Sequence, residues 1–471
     1  MSPASSADTG WIKACERDPF VRAHAAQVAR VLEIGAGLSP LSIRDQMFRA
    51  AVAVDRAWEY GLISRRKPLL VAGGSAAGVT AAMRAARYGV PTRLIEEQDH
   101  LFFRQHECVT RWVSPTQYDW PAPHAGLHLY PWDSSHPAVE LSWPDQFSSA
   151  DQLAERWNGL FESARRNYSA LAPPLLETRY IGAESSGFGG LIVRTDPSDV
   201  VLGPTSLLIK ATGLGEEKCS FDGHHGYEFW GRDPYLAPRL GCIDPPRVLI
   251  SGAGDGSLQD VVRIVTGMNS AMELYQFLPL DDIQRRGVEA AVSAAEDHYQ
   301  RSVVWSTKRW DCELLRRLHL TYGEVVGHLA HSFWDRLAKK FHERPGSMRY
   351  GVDFRELTFH HSCNHFGRCY ALNHFVVLVL CEFLRRAWGA NVLVPGTRLC
   401  SISSSLSCAG LGAGHCHGRT HEIVLSGDLQ CNGNAAVGVE HRLGAEVLVI
   451  RHGIKGIGRE MRQTVPMFMP W

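Results

Sequence analysis

The stretch KPLLVAGGSAAGVTAAMRAARYGVPTRLIEE, residues 67–97, contains the pattern that most clearly indicates the fold class. A short apolar run leads directly into glycines, and an alanine-rich segment follows that ends at Gly89. Alanine, methionine and arginine favour a helix, and glycine is common just past a helix C-terminus. A second apolar run, TRLIEE, comes next and ends in two acids. The order strand, glycine turn, helix, strand predicts a βαβ unit.

The glycine spacing in this turn fits the pattern G-x-G-x-x-G with one departure. Gly73 and Gly78 take the first and third glycine positions, and Ser75 takes the second. In this pattern the glycines permit a tight turn, close approach of a phosphate, and packing of helix on strand, while the helix N-terminus attracts the anion. Serine is small and its hydroxyl can donate to a phosphate oxygen. We therefore expect this turn to contact a dinucleotide through six residues: Gly73, Gly74, Ser75, Ala76, Ala77 and Gly78.

An acid at the end of the second strand completes the pattern. Such an acid hydrogen-bonds ribose hydroxyls roughly 20 residues after the turn. Glu96 stands 23 residues after Gly73, and Glu97 is its neighbour on the opposite face of the strand. The alternative is a doubly wound fold whose tight turn holds no ligand.

Composition narrows the class of protein. Basic and acidic residues balance at 49 each, so the formal net charge is zero, which argues against nucleic acid or an anionic membrane as the main partner. The N-terminal sequence lacks the pattern of a signal peptide, and the longest apolar run, residues 375–381, is too short to span a bilayer. The twelve cysteines include no C-x-x-C. We expect a cytoplasmic protein with mostly reduced thiols.

The chain divides into four predicted segments. Apolar residues at helical spacing between 41 and 63 predict a helical N-terminal extension, residues 1–66, that packs on the next domain or binds a partner. The first dinucleotide domain covers 67–244. A second strand, glycine turn and helix in residues 245–265 open a second Rossmann-like domain, 245–389, with a helical insertion at 283–345. Residues 390–471 are expected to complete the first domain.

The order of these motifs resembles the two-dinucleotide-binding-domain flavoproteins, the glutathione-reductase-like and flavin-monooxygenase-like group. The resemblance rests on residues 67–105 and 200–280, including LLIKATG at 207–213. It implies an α/β fold with a Rossmann-like FAD domain and an inserted second Rossmann-like domain. It also implies that the first turn and Glu96 bind FAD, that the chain leaves the FAD domain near Thr212 and Gly213, and that the second turn binds NAD(P)H. Arg104 and Arg111 are candidate phosphate partners, with a solvated or structural role as the alternative.

The second turn departs further from the pattern. Gly252 and Gly254 fill the first two positions, Gly256 is one place early, and Ser257 replaces the third glycine. Asp255 adds a negative charge where the phosphate would lie, and this charge repels an anion unless it faces away. We interpret residues 272–277, MELYQF, as the following strand, and it ends in neither an acid nor an arginine. A nicotinamide site and a degenerate turn therefore both stay open.

Two family features are missing or weak. Cys108 is the only cysteine between residues 16 and 218, which excludes the early C-x-x-x-x-C dithiol of glutathione-reductase-like members. The late Gly-Asp pair that meets the ribityl chain in this family has a poorly spaced counterpart in Gly427 and Asp428.

Histidines and cysteines cluster near residues 359–369 and 414–421. Neither cluster has the paired spacing of a zinc site, although a joint site of four residues is conceivable from His361, Cys363, His415 and His417. Structural histidines are the plainer interpretation, and no metal is predicted. A substrate pocket is the third interpretation, with His361 and His417 as candidate proton carriers because imidazole titrates near neutral pH. The aromatic stretch 111–132 suits either a flat ligand or a core.

Together these features predict an FAD-dependent oxidoreductase that acts on a small organic molecule, is reduced by NAD(P)H and includes monooxygenation among its candidate reactions. One alternative is an FAD oxidase or dehydrogenase without nicotinamide. Another is a dinucleotide-binding sensor or interaction protein with structural FAD. The oligomeric state is left open, with a homodimer among the candidates.

Overall fold

The computed structural model describes residues 6–35, 42–113, 117, 120–121, 140–142, 147–185, 190–196, 202–231, 233, 247–305, 312–344, 357–389, 392–406, 419–427 and 439–453. The chain forms two compact units. Unit 1 contains the described residues of 1–109 and 124–215, and unit 2 contains those of 110–123 and 216–455.

The helices, in chain order, are α1 Ser6–Arg17, α2 Pro19–His24, α3 Ile43–Glu59, α4 Ala76–Arg87, α5 Ala150–Asn167, α6 Asp255–Thr266, α7 Ala271–Phe277, α8 Asp282–Trp305, α9 Cys312–Gly327, α10 His331–Glu343 and α11 Ala371–Trp388. The strands are β1 Val31–Glu33, β2 Leu69–Ala72, β3 Thr92–Ile95, β4 Trp112–Val113, β5 Ser148–Ser149, β6 Arg179–Ser185, β7 Leu191–Asp196, β8 Leu202–Thr205, β9 Leu207–Lys210, β10 Ser220–Phe221, β11 His224–His225, β12 Val248–Ser251, β13 Leu357–His361, β14 Leu393–Pro395, β15 Thr397–Leu406, β16 Arg419–Gly427, β17 Val439–Ala445 and β18 Val447–Ile450.

Unit 1 is built on a parallel sheet with the strand order β1-β9-β2-β3. Strand β2 is buried along its whole length, as its apolar sequence requires in a sheet covered on both faces. Helices α3 and α4 pack against each other, and α4 also contacts β2 and β3. Apolar side chains of the antiparallel β6-β7-β8 sheet share a core with the parallel sheet. From β2 the chain moves to β3 on one side, and β9 returns on the other side of β2. A sheet of this kind binds ligands where the strand order reverses, outside the carboxyl ends of β2 and β9.

Unit 2 repeats this plan. Its parallel sheet has the order β14-β13-β12-β18, and the antiparallel β15-β16-β17 sheet shares a core with it. Helix α6 follows β12 directly and packs against α11, while α8 and α9 pack against each other. Strand order reverses between β12 and β18, which places the expected ligand crevice at the carboxyl ends of those two strands.

The structure confirms the predicted α/β class with two Rossmann-like sheets. The N-terminal segment is largely helical, but it also supplies β1, an edge strand of the unit 1 sheet that the sequence pattern did not predict. Helix α3 begins with a capping box in which Ser42 and Asp45 satisfy each other's backbone N–H groups. The N-terminal segment is thus part of the first fold as well as a cover for it.

Residues 390–471 were expected to complete the first domain, and the structure corrects this expectation for the described part. Strands β14 to β18 belong to unit 2, and β18 pairs with β12 from Val447 opposite Val248 to Ile450 opposite Ser251. The reason is that β18 is an apolar strand, buried throughout, that fills the place beside β12 that β9 fills beside β2. Within the described part of the chain, no helix is both long enough and apolar enough to cross a membrane.

Candidate functional site

The first glycine turn leaves no room for side chains where it meets the sheet. Gly73 has a φ of +108°, and a Cβ atom there would overlap the carbonyl group of Ala211. A Cβ atom at Gly78 would overlap the carbonyl oxygen of Gly73, and one at Gly74 would lie 2.9 Å from a carboxylate oxygen of Glu96. The close approach of backbone to backbone that the glycine pattern predicts is therefore present.

Helix α4 begins at this turn with Ser75 as its N-cap residue. Among the residues that the structure describes, the Ser75 side chain makes no capping hydrogen bond. Ala76 and Ala77 are buried and add only methyl groups to the first turn of the helix. The N–H groups of that turn and the helix dipole form a place suited to a phosphate.

Glu96 follows the last residue of β3 and reaches back to the turn. One carboxylate oxygen accepts a hydrogen bond from the N–H of Gly74, and the other accepts one from the N–H of Gln98 at 2.9 Å. The carboxylate thus lies beside the glycine turn, where the sequence pattern places a ribose partner. Glu97 is exposed.

The end of β9 forms the other wall of the unit 1 crevice. Thr212 and Gly213 are exposed, and Gly213 has a φ of +85°. The carbonyl oxygen of Gly213 lies 3.1 Å from the position of a Cβ atom on Gly35, just after β1. Gly35 was missed from the sequence because nothing local marks the N-terminal segment as a neighbour of β9.

The two candidate arginines differ. Arg104 is exposed, whereas Arg111 is fully buried in unit 2. The Arg111 guanidinium pairs with Asp260 and with Asp233, the latter at 3.1 Å, and donates to the carbonyl oxygen of Phe229 at 2.6 Å. These contacts engage the guanidinium inside unit 2, so Arg111 is not carried into the proposed phosphate site.

The second glycine turn, like the first, approaches a carbonyl group of the neighbouring strand end closely. Gly252 has a φ of +143°, and a Cβ atom there would overlap the carbonyl oxygen of Arg451, the residue after β18. Gly254 is the N-cap residue of α6. The hydroxyl of Ser257 donates to the Gly254 carbonyl at 2.9 Å, so a serine fits at the third position. A Cβ atom at Gly256 would come within 3.2 Å of the Phe229 ring.

Asp255 opens α6, and its carboxylate is engaged by another helix. One oxygen accepts from the N–H of Tyr370 at 2.8 Å and from the side-chain amide of Asn373 at 2.7 Å, at the start of α11. Asp255 is partly exposed as a residue, but its carboxylate is enclosed, and burial raises its pKa to about 6 although both hydrogen bonds act to lower it. The negative charge therefore lies between the first turns of two helices.

The segment MELYQF lies within helix α7, so the interpretation of these residues as a strand was wrong. The next strand in the chain that pairs with β12 is β13, and His360 of β13 lies opposite Ser251. The N–H of Gly252 donates to the carbonyl of His360 at 3.0 Å, as the N–H of Gly73 donates to Ile95 at 2.8 Å. His361, the next residue, thus takes in unit 2 the position that Glu96 takes in unit 1.

His361 is a buried, neutral imidazole. Its Nδ1–H donates to the carbonyl of Cys363 at 2.6 Å, and burial lowers its pKa to about 4. The Phe366 ring lies beside His361 and also contacts the rings of His319 and His374. These two histidines are hydrogen-bonded to each other at 2.9 Å. At neutral pH His361 therefore keeps its one ring proton on Nδ1, bonded to the Cys363 carbonyl, and presents Nε2 as a hydrogen-bond acceptor. His415, His417 and Asp428 lie outside the described residues.

The described histidines, cysteines and acids form no group of three or more that could hold a metal ion. His452 was not predicted as a site residue from the sequence. It follows β18 in the order Arg-His-Gly, as Thr212 follows β9 in the order Ala-Thr-Gly. That parallel between the two strand ends was the available signal.

Each of the two parallel sheets has its glycine turn at the point where the strand order reverses. No family model matches the chain. A ferredoxin–NADP reductase from Acidiphilium cryptum (strain JF-5) is 27% identical over 139 residues, which are 29% of this chain and 40% of that protein. The chain thus matches about two fifths of the length of this curated relative.

Solved structures give weaker likenesses. The bacillithiol disulfide reductase from Staphylococcus aureus has a TM-score of 0.41 at 10% identity, covering 82% of this chain and 76% of its own. Thioredoxin reductase from T. acidophilum has a TM-score of 0.36 at 12% identity, covering 82% and 77%. OTEMO in complex with FAD and NADP has a TM-score of 0.28 at 18% identity, covering 43% and 37%.

Proposed function

We propose that this protein is an FAD-dependent oxidoreductase that is reduced by a nicotinamide dinucleotide and acts on a small organic substrate. The observation that carries the proposal is the pair of glycine turns, one in each unit, in which a Cβ atom at Gly73 or Gly252 would overlap a carbonyl group of the neighbouring strand. Because each unit has a glycine turn of this kind, the two units are suited to bind one dinucleotide each. The curated relative is itself a ferredoxin–NADP reductase.

The residues of unit 1 fit FAD. Gly73, Gly74 and Gly78 hold backbone close enough for a pyrophosphate to reach the first turn of α4, where Ser75 adds a hydroxyl. Glu96 stands ready for ribose hydroxyls. Thr212 and Gly213 line the opposite wall. FAD bound here would supply two-electron redox chemistry, and the chain's own part is to bind and orient it.

The residues of unit 2 fit a nicotinamide dinucleotide on the condition that the Asp255 carboxylate points away from its phosphates. Gly252, Gly254 and Gly256 give a backbone approach like that of the first turn, while Asp255 turns its carboxylate to α11 and away from that role. His361 occupies the position where an acid would repel a 2′-phosphate, so we propose NADPH in preference to NADH.

The absorption spectrum and anaerobic reduction test this function. We expect a yellow protein whose flavin band is bleached by NADPH faster than by NADH. Oxygen consumption matched by hydroxylated product would identify a monooxygenase, and stoichiometric reduction of an organic acceptor without oxygen would identify a reductase. A colourless protein that cannot be loaded with FAD contradicts the proposal.

Asp255 favours a second candidate function. A buried carboxylate at the start of α6 places negative charge close to where a pyrophosphate would bind. If neither nucleotide bleaches a flavin that is present, an FAD oxidase or dehydrogenase that takes electrons from its own substrate is the better description. A dinucleotide sensor with structural FAD would instead show no reduction by any small organic donor.

A further inference from the structure

A chain of hydrogen bonds crosses the carboxyl edge of the unit 2 sheet. The Ser251 hydroxyl, at the end of β12, lies 2.8 Å from Nε2 of His360 and 2.6 Å from Nε2 of His452. On its other side, Nδ1 of His360 lies 3.0 Å from the hydroxyl of Thr397, which lies 3.1 Å from the Val394 carbonyl. Ser251, His360 and Thr397 are all buried, and His452 is exposed.

The direction of every bond in this chain follows from its buried end. The Val394 carbonyl can only accept, so the Thr397 hydroxyl donates to it and accepts from Nδ1–H of His360. Nε2 of His360 is then unprotonated and accepts from the Ser251 hydroxyl. That hydroxyl accepts in turn from Nε2–H of His452, which leaves Nδ1 of His452 as the unprotonated nitrogen.

We propose that His452 is a ligand-binding residue of unit 2, a neutral hydrogen-bond acceptor for a hydroxyl or carboxamide N–H of the bound dinucleotide. This inference rests on the proposed nicotinamide site. Ser251, His360 and Thr397 are positioning residues that hold the ring and its tautomer. His452 stands one residue after Arg451, whose carbonyl abuts Gly252, so it lies at the strand ends where the glycine turn begins.

The surroundings keep the chain neutral. Burial, together with the repulsion that protonated His452 and His361 would exert, lowers the pKa of His360 to about 3. Although His452 is exposed as a residue, the protein around its ring displaces water, and this desolvation and the Lys218 ammonium lower the pKa of His452. A proton therefore does not pass from His452 to His360, and protonation of His452 at low pH removes its acceptor.

Histidine-selective ¹⁵N NMR of the ligand-free protein tests the orientation without any nucleotide. We expect His360 as the Nδ1–H tautomer, the less common form of a free imidazole, and His452 as the Nε2–H tautomer. Thr397→Ser should preserve both signals and Thr397→Val should change the His360 signal. An Nε2–H tautomer at His360, or signals unaffected by Ser251→Ala, overturns the inference.

Calorimetric titration with NAD⁺, NADP⁺ and ADP-ribose tests the ligand role. His452→Phe keeps a ring but removes both nitrogens, so the acceptor is lost and we expect about threefold to tenfold weaker binding. His441→Phe, at an exposed histidine of the same unit, should bind like wild type. Wild-type affinity should fall as the pH drops through the pKa of His452, and that fall should be absent in His452→Phe.

A comparison of the three ligands shows whether a ribose hydroxyl or the carboxamide N–H donates to His452. It also separates failure of the His452 role from failure of the nicotinamide site. Weakening with all three ligands identifies a ribose hydroxyl, and weakening with NAD⁺ and NADP⁺ alone identifies the carboxamide. Equal affinity of wild type and His452→Phe overturns the role of His452 while the nicotinamide site stands. Wild-type protein that binds none of the three overturns the nicotinamide site and the ligand part of this inference together.

Discussion

Replacing Gly78 with alanine tests the first glycine turn most directly. The added Cβ atom would lie far inside 3.0 Å of the Gly73 carbonyl oxygen, a separation that Cβ atoms essentially never go below. The oxygen cannot retreat easily, because Gly73 is held at a φ of +108° and its N–H donates to the Ile95 carbonyl at 2.8 Å. Helix α4 would have to move from β2 by more than about 1 Å, and overpacking on this scale costs about 3 kcal/mol.

The same shift would displace the N–H groups of the first turn of α4 from their phosphate. We therefore expect Gly78→Ala to lose most of its FAD and to lower the midpoint of the first thermal unfolding transition by about 6–12 °C. Flavin content per chain, from the absorption spectrum of purified protein, and differential scanning calorimetry measure the two effects.

Gly159→Ala is the matched control. Gly159 also lies in a helix, α5, but a Cβ atom there meets nothing within 4 Å. Alanine favours a helix over glycine, so this variant should keep its flavin and gain about 0.5–1 kcal/mol. Wild-type flavin content and stability in Gly78→Ala would refute the turn as a tight contact of helix, strand and cofactor.

Three further predictions concern the charged groups. Glu96→Gln should weaken FAD binding about tenfold in a fluorescence titration, because a charged acceptor is lost beside Gly74. Glu97→Gln should bind FAD like the wild type. Equal FAD affinities of the two variants would exclude Glu96 from the site. The pKa of Asp255 rises from 3.8 to about 6 on folding, so its contribution to stability is greatest below pH 4 and is lost as the pH rises to 6. The free energy of unfolding in urea should therefore fall across this pH range in the wild type and should not show that fall in Asp255→Asn. The same pH profile in both proteins would contradict the enclosed carboxylate. Arg111→Ala should lower the free energy of unfolding by about 3–5 kcal/mol, because buried Asp233 and Asp260 lose a partner. Arg104→Ala, at an exposed arginine, should change the free energy of unfolding by less than about 1 kcal/mol. An Arg111→Ala protein that is as stable as wild type but does not retain its cofactor would instead support the predicted role of Arg111 as a phosphate partner.

Local patterns predicted the parts of the site that lie close together in the chain. The glycines at 73 and 78 have a steric cause that acts over a few residues, and the acid at 96 follows from the length of one helix and one strand. The second turn was found in the same way. Its next parallel strand was not, because helices α7 to α10 separate β12 from β13 and no local pattern indicates which later strand returns to the sheet.

The α/β class, both glycine turns and the candidate ribose acid could be predicted from the amino-acid sequence, because these depend on backbone geometry and on contacts between near neighbours in the chain. Which distant strands lie beside each turn follows from the folded arrangement of the sheets. It joined β1 to β9, β18 to β12 and His361 to the end of the second crevice. It also brought Ser251, His360 and His452 within hydrogen-bond distance. Strand pairing between residues some 200 positions apart depends on the burial of whole apolar strands, and many strands of similar composition satisfy that requirement until the sheet is assembled.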